Sequence, residues 1–267
     1  MPVFSPIRIA ATCALVVLGV TACGAGGGGA KPAAAPVRAS ASAASSAGAS
    51  GSTAGTDRAS MSGNEILQQA FDNLKSLGSL TVDMNGVQDG QPFQGHISLD
   101  TKGECRGAVG MGAKGSVDIL RTTQTLYLRP DATMAASIAG GSAGAQIVNG
   151  RWMTGFPDDS DEVKGLTEFC TLAQFTAQFT DVQNNATNGG ADTVNGQPVV
   201  VVNYTDTDGS RNEVWVASQG TPWLLKASTQ QDNGDGATIV FSAFNAPVDA
   251  TPPAANDIFD ASKLPGV

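Results

Sequence analysis

The sequence predicts an α+β domain in which a strongly curved, mostly antiparallel sheet, an incomplete β-barrel, carries two main helices across its concave face. An amphipathic helical pattern occurs clearly only twice, over residues 64–78 and 165–180. Short segments of alternating apolar and polar residues, separated by Gly-, Asn- and Asp-rich turns, fill most of the remainder after residue 78. Two helices cover only part of a sheet of about eight strands, so an apolar concavity is expected.

The N-terminus is typical of an export signal. Residues 9–20 form an apolar run of only twelve residues, whereas a bilayer span needs about twenty. Val20, Thr21 and Ala22 then precede Cys23. This resembles the lipobox of bacterial lipoproteins, in which the signal is cleaved before the cysteine and the thiol is acylated. We therefore predict a signal peptide at residues 1–22 and lipidation of Cys23. The alternative, a buried cysteine in a helix, is disfavoured by glycines 26–29.

Residues 23–61 are predicted to be a flexible linker, and residues 62–267 a single domain. The linker is mostly Gly, Ala and Ser and has almost no large apolar side chain to offset the entropy of ordering it. Acyl chains on Cys23 would anchor such a chain to the extracytoplasmic face of the cell membrane.

The net charge argues against nucleic acid as a partner. The whole chain carries −9. Arg8, Lys31, Arg38, Arg58 and Asp57 lie before the predicted domain, which leaves 11 basic and 23 acidic residues and a net charge of −12. Phosphate backbones are bound by clustered lysine and arginine, so this balance excludes a DNA- or RNA-binding role.

The four cysteines reduce to one predicted disulfide. Cys13 leaves with the signal peptide and Cys23 is lipidated, which leaves Cys105 and Cys170 in an exported domain, where disulfides persist. Closing this loop of roughly 66 residues would stabilise the domain by about 4 kcal/mol. The alternative is a pair of unlinked, buried thiols.

The elements follow in order. Ser62 or Asn64 can cap the first helix, and Gly78 suits its end. A meander is predicted over residues 80–84, 96–100, 104–110, 114–122 and 124–129, which places His96 on a solvent-facing side. A short helix or loop at 132–144 and the second helix precede strands at 199–204, 211–218, 223–230 and 237–244. The unbroken valines 199–202 predict a central strand covered on both faces.

No enzyme, metal site or cofactor is predicted. His96 is the chain's single histidine. Residues 140–144 fit G-x-S-x-G, but this motif requires a preceding core strand and a later histidine. The acidic turns lack the register of a calcium loop and are better explained as solvated turns.

The strands and turns of the second half resemble the LolA/LolB-like lipoprotein-carrier superfamily, and in particular actinobacterial lipoproteins whose mycobacterial members carry lipids and lipoglycans. The resemblance covers nearly all of residues 62–265. It is carried by residues 194–204 (VNGQPVVVVNY), 213–217 (EVWVA), 220–225 (GTPWLL) and 241–248 (FSAFNAPV). It implies an apolar cavity that accommodates acyl chains, which phenylalanines fill in some members.

The sequence thus predicts a membrane-anchored lipoprotein that binds or carries a lipid or other apolar ligand between sheet and helices. The alternative is an accessory or regulatory lipoprotein that contacts an envelope protein such as a sensor kinase. The possible cavity-lining residues are Leu80, Val82, Met84, Ile97, Leu99, Val117, Ile119, Leu126, Leu128, Trp152, Phe169, Phe175 and Phe179.

Overall fold

The computed structural model describes residues 57–138, 142–156, 161–179 and 185–263. The predicted signal peptide, Cys23 and the linker up to residue 56 lie outside these residues. Within them the helices are α1 (Gly63–Lys75), α2 (Ala132–Ile138), α3 (Ser142–Val148), α4 (Asp161–Phe169) and α5 (Leu172–Thr176). The strands are β1 (Ser79–Gln88), β2 (Gln91–Asp100), β3 (Cys105–Gly110), β4 (Ser116–Arg121), β5 (Leu126–Pro130), β6 (Trp152–Thr154), β7 (Thr187–Val194), β8 (Gln197–Thr205), β9 (Arg211–Ala217), β10 (Leu224–Gln230), β11 (Gly236–Ser242) and β12 (Ile258–Asp260).

These twelve strands form one sheet in the order β12-β6-β5-β4-β3-β2-β1-β11-β10-β9-β8-β7. Neighbours pair antiparallel, except that β12 pairs parallel to β6. Within the described residues the edge strands β7 and β12 are not paired with each other, so the sheet does not close into a barrel. The predicted α+β class, with a large and mostly antiparallel open sheet, is confirmed.

The chain after β11 crosses the outer face of the sheet, which is the face opposite to α1. The Asn245 N–H donates to the Ser79 carbonyl at 2.9 Å, and Asp249 lies 3.6 Å from Arg106 on β3. The chain then adds β12 beside β6. Because of this crossing, β12 pairs with β6 at one end of the sheet, although the strands that precede it in the sequence, β7–β11, form the other end.

Helix α1 packs on the other side of the sheet, called the helix face below. Ser62 caps it: the Glu65 N–H donates to the Ser62 hydroxyl at 3.4 Å, and the Ser62 N–H donates to the Glu65 carboxylate at 3.0 Å. Apolar residues three and four positions apart then bury one side of the helix. These residues are Ile66, Leu67, Ala70, Phe71 and Leu74.

Strand β8 is covered on both faces, but it is not central. Val200 and Val202 belong to the helix-face core, whereas Val199 packs with Trp215 and Leu225 on the outer face. The strand nevertheless lies second from the edge, between β7 and β9. The prediction of a central position is therefore wrong, because an apolar run reports coverage of both faces and not the number of neighbouring strands.

The predicted second helix, residues 165–180, is divided. Helix α4 ends at Phe169 and α5 begins at Leu172. Between them Thr171 is extended, with φ −100° and ψ 114°, and bridges in parallel to Asp100. The adjacent Cys170 forms the predicted disulfide with Cys105 of β3, with 5.4 Å between the Cα atoms. The bridge and the disulfide hold this part of the chain against the sheet, which interrupts the helix.

The described residues include 57–61, which belong to the predicted linker. Residues 58–60 form a short 3-10 helix, and the Arg58 side chain is buried. Its guanidinium donates to the Ala217 carbonyl at 3.1 Å, the Gly220 carbonyl at 2.6 Å and the Gln69 amide oxygen at 3.2 Å. Asp57 and Arg58 cancel in charge, so the value of −12 for the domain is unchanged.

Replacing Arg58 by alanine is expected to lower the free energy of unfolding by about 2–3 kcal/mol, because the buried Ala217 carbonyl and the partly buried bond to Gly220 would lose their cationic donor. Urea unfolding of the full chain measures the loss. Lys102→Ala is the control, since that side chain is 71% exposed and its change should stay within about 0.5 kcal/mol. Equal effects of the two substitutions would contradict a structural role for Arg58.

Candidate functional site

The helix face carries the main apolar core. Helices α1 and α5 pack against strands from both halves of the sheet, including β1, β2, β9 and β11. The members of this cluster come from segments far apart in the chain, brought together by the β1–β11 pairing. Its apolar side chains offer dispersion contacts and hydrophobic burial, which suit an acyl chain and no covalent reaction.

The structure brings together all but one of the predicted lining residues. Eight are buried members of the helix-face cluster and four are partly buried residues packed against it. The buried members are Leu80, Val82, Ile97, Leu99, Val117, Ile119, Phe175 and Phe179. The partly buried ones are Met84, Leu126, Leu128 and Phe169. Their shared location agrees with a common site, while their contact with a ligand stays a prediction.

Trp152 lies apart from this cluster. Its neighbour in the strand, Met153, faces a smaller cluster with Ala135 and Val148. Adjacent side chains on a strand point to opposite faces, so Trp152 lies on the outer face. There the Arg129 guanidinium lies 4.6 Å from the centre of its ring and also donates to Asp118 at 2.6 Å. Trp152 is therefore placed outside the candidate site, because β6 pairs in a register that the sequence does not reveal.

Four phenylalanines pack between the helices and the sheet. Phe179 lies 6.0 Å from Phe71, 5.7 Å from Phe175 and 5.7 Å from Phe241, measured between ring centres. Phe175 lies 6.4 Å from Phe241. These tilted and edge-on contacts are favourable geometries for aromatic pairs. Phe175 and Phe179 thus fill space beneath α1.

Other apolar positions on the helix face remain partly exposed. They include Met84 on β1, Leu126 and Leu128 on β5, and Leu166 and Phe169 on α4. Leu166 was missed in the sequence, although its position three residues before Phe169 puts it on the same side of the helix. Partly exposed apolar side chains beside a well-packed core are the expected lining of an apolar binding site.

The titratable groups with shifted pKa values have structural explanations. Burial, with a smaller contribution from the charge of Asp206, raises the pKa of Tyr204 to about 12. Hydrogen bonds from the Thr193 N–H and the Trp215 indole lower the pKa of Asp192. His96 is exposed, as predicted, with Nδ1 2.6 Å from the Asp83 carboxylate.

Among the residues that the structure describes, no group of three or more His, Cys, Asp or Glu side chains is placed to hold a metal ion. No helix in these parts of the chain is both long and apolar enough to cross a membrane. In the G-x-S-x-G pattern, Ser142 is the first residue of α3, and the described element before it is α2 and not a strand.

A solved structure shares this fold. LprF from Mycobacterium bovis superposes with a TM-score of 0.54 at 18% identity, over 72% of this chain and 97% of LprF. The lipoprotein LppX from Mycobacterium tuberculosis gives a TM-score of 0.48 at 14% identity, over 70% of this chain and 97% of LppX. No protein-family model and no curated protein sequence matches the chain.

Proposed function

We propose that this chain, which has the fold of the LolA/LolB-like lipoprotein carriers, is a membrane-anchored extracytoplasmic lipoprotein that binds or carries a lipid or other apolar ligand. The observation that carries the proposal is the set of partly exposed apolar side chains on the helix face, Met84, Leu126, Leu128, Leu166 and Phe169. An acyl chain covering them would remove apolar surface from water on both partners, at about 0.8 kcal/mol for each buried methylene.

The site would act by binding alone. A sheet of paired strands forms one wall, and the Cys105–Cys170 disulfide ties the end of α4 to that wall. Such a preformed site needs little ordering when a ligand enters. Its apolar lining sets no strict directional requirement, so chain length and volume would select the ligand more than headgroup chemistry does.

The anchor is tested separately from the ligand. Wild-type protein is expected to remain with the membrane fraction of its native host and to carry the mass of its acyl groups. The Cys23→Ser chain should be released from the membrane, because it lacks the acylated thiol. Retention of a Cys23→Ser chain from which residues 1–22 have been removed would contradict lipid anchoring and would leave the ligand question open to its own experiment.

For the ligand, native mass spectrometry of the full-length Cys23→Ser chain from its own host is expected to show a bound lipid. Leu166→Gln places a polar side chain at the partly exposed apolar surface and should weaken retention about 10- to 100-fold, which corresponds to the burial of one leucine. Ile147→Gln is the matched control, since Ile147 is 49% exposed and lies outside the helix-face cluster.

A Cys23→Ser chain without bound lipid, and with no affinity for added fatty acid, would contradict the proposal. Salt-dependent capture of an envelope protein in that case would favour the alternative accessory role, since a domain of charge −12 is suited to a cationic partner surface.

A further inference from the structure

A polar groove of about 520 Å³ lies on the outer face of β7–β10. Two cross-strand rows of side chains line it, and we call it the outer groove. Antiparallel pairing places Thr187, Asn203, Glu213 and Ser228 in the first row. It places Thr205, Arg211 and Gln230 in the second row.

The groove belongs to the face opposite the apolar site. Asn203 is adjacent to Val202 on β8, and Glu213 is adjacent to Val214 on β9. Both valines belong to the helix-face cluster. Because adjacent side chains on a strand point to opposite faces, Asn203 and Glu213 lie on the outer face. Nearer the other end of the same strands, the outer face is apolar and is covered by Trp223 stacked on Phe244 at 4.5 Å. The outer face of β8–β10 therefore changes along the strands from a covered apolar patch to an open polar groove.

Strand geometry makes the lining regular. Neighbouring strands lie about 4.8 Å apart, and residues two apart on one strand are separated by about 6.7 Å. Apart from Asn185, which precedes β7, the hydrogen-bonding side chains of the two rows thus stand on a grid of these dimensions that the sheet holds. A ligand meeting this grid would need little reorganisation of the protein.

Asn203 lies near the centre of the first row. The register of β7 against β8 shifts between Asn188 and Gly190, and a Cβ at Gly189 would lie 2.5 Å from Nδ2 of Asn203. The glycine therefore makes room for the amide. Within the part of the chain that the structure describes, the buried Oδ1 of Asn203 has no hydrogen-bond partner. An unpaired buried acceptor is unfavourable, and a ligand hydroxyl could satisfy it after a small rotation of the amide.

The charges of the groove nearly cancel. Arg211 and Glu213 carry opposite signs in adjacent rows, and Arg211 also lies 3.1 Å from Asp232. The remaining lining groups are carboxamides and hydroxyls, which both donate and accept hydrogen bonds. A phosphate would need more positive charge, and a metal ion would need more carboxylates than Glu213 alone.

We propose that the outer groove binds a neutral, polyhydroxylated ligand, namely a short stretch of a carbohydrate chain. Sugar hydroxyls donate and accept at closely spaced positions, as the two rows do. The volume lies in the range typical of small-molecule sites, roughly 300–1,000 Å³. This site goes beyond the proposed lipid function and lies on the other face of the sheet, so both ligands could be held at once.

The test uses the full-length chain in detergent micelles against immobilised neutral oligosaccharides, with titration of the strongest binder. Binding is expected, and Asn203→Ala and Glu213→Ala should each weaken it about tenfold through the loss of hydrogen bonds. Asn85→Ala, an exposed asparagine on the outer face of β1, should leave the affinity unchanged. Lipid retention should be unaffected by all three substitutions.

Ser228→Ala provides a milder change in the same row if Asn203→Ala fails to fold. Failure of every oligosaccharide to bind would overturn the proposal. So would binding that is insensitive to the substitutions in the groove. Inorganic phosphate, tested alongside, should not bind; a phosphate site that depends on Arg211 would replace the carbohydrate assignment.

Discussion

Replacing Cys105 and Cys170 together by alanine is expected to lower the free energy of unfolding by about 4 kcal/mol. The disulfide joins residues 65 apart in sequence, and the entropy of the unfolded chain rises when so long a loop is released. Both cysteines are fully buried, so the loss of packing adds to this effect. Urea unfolding of the wild-type and double-variant chains measures the difference.

Reductant serves as the internal control for the disulfide. It should destabilise the wild-type chain and leave the double variant unchanged. The end of α4 should also become less protected from hydrogen exchange, because the disulfide and the Asp100–Thr171 bridge hold that junction against the sheet. A double variant as stable as the oxidised wild-type chain would contradict this account of the divided helix.

Phe175→Ala is expected to cost about 3–5 kcal/mol of stability, because the side chain is buried and packs against the rings of Phe179 and Phe241. The size of the cost within this range depends on how far α1 and α5 collapse into the space. Thermal or urea unfolding of the full chain measures it. Ile147→Ala, at a position that is 49% exposed, should change stability by less than about 0.5 kcal/mol.

The same substitution distinguishes packing from ligand contact. If Phe175 fills space that an acyl chain could occupy, Phe175→Ala should bind a fatty acid more tightly per folded molecule despite its lower stability. Phe175→Leu, which retains most of the apolar volume, should lie between the wild-type chain and Phe175→Ala in both measurements. Unchanged stability of Phe175→Ala would contradict the packing of this ring against Phe179 and Phe241.

The local elements were largely predictable. The face of α1 formed by Ile66, Phe71 and Leu74, and the alternation in strands such as β1 and β2, depend only on side-chain periods of 3.6 and 2. Three short or exposed elements were missed: β6, β7 and β12. The first and last have three residues each, and β7 lies at an exposed edge with two glycines, so none carries a strong pattern.

The arrangement of these elements was less predictable, because it depends on pairings between distant segments. The position of β8 near the edge and the location of Trp152 on the outer face both follow from strand order and register. The burial of Arg58 depends on carbonyls of residues 217 and 220, which the local sequence around Arg58 does not indicate. The outer groove likewise exists only once β7–β10 are paired.

The sequence by itself determined the α+β class, the two domain cysteines that are available to pair and most of the apolar residues of the helix face. Each depends on composition or on a local period. The tertiary structure alone decided how side chains are grouped: aromatic rings packed beneath α1, partly exposed apolar side chains elsewhere on the helix face, and two polar rows on the opposite face. The physical reason is that packing and register are set by contacts between strands far apart in the chain, which a local pattern does not encode.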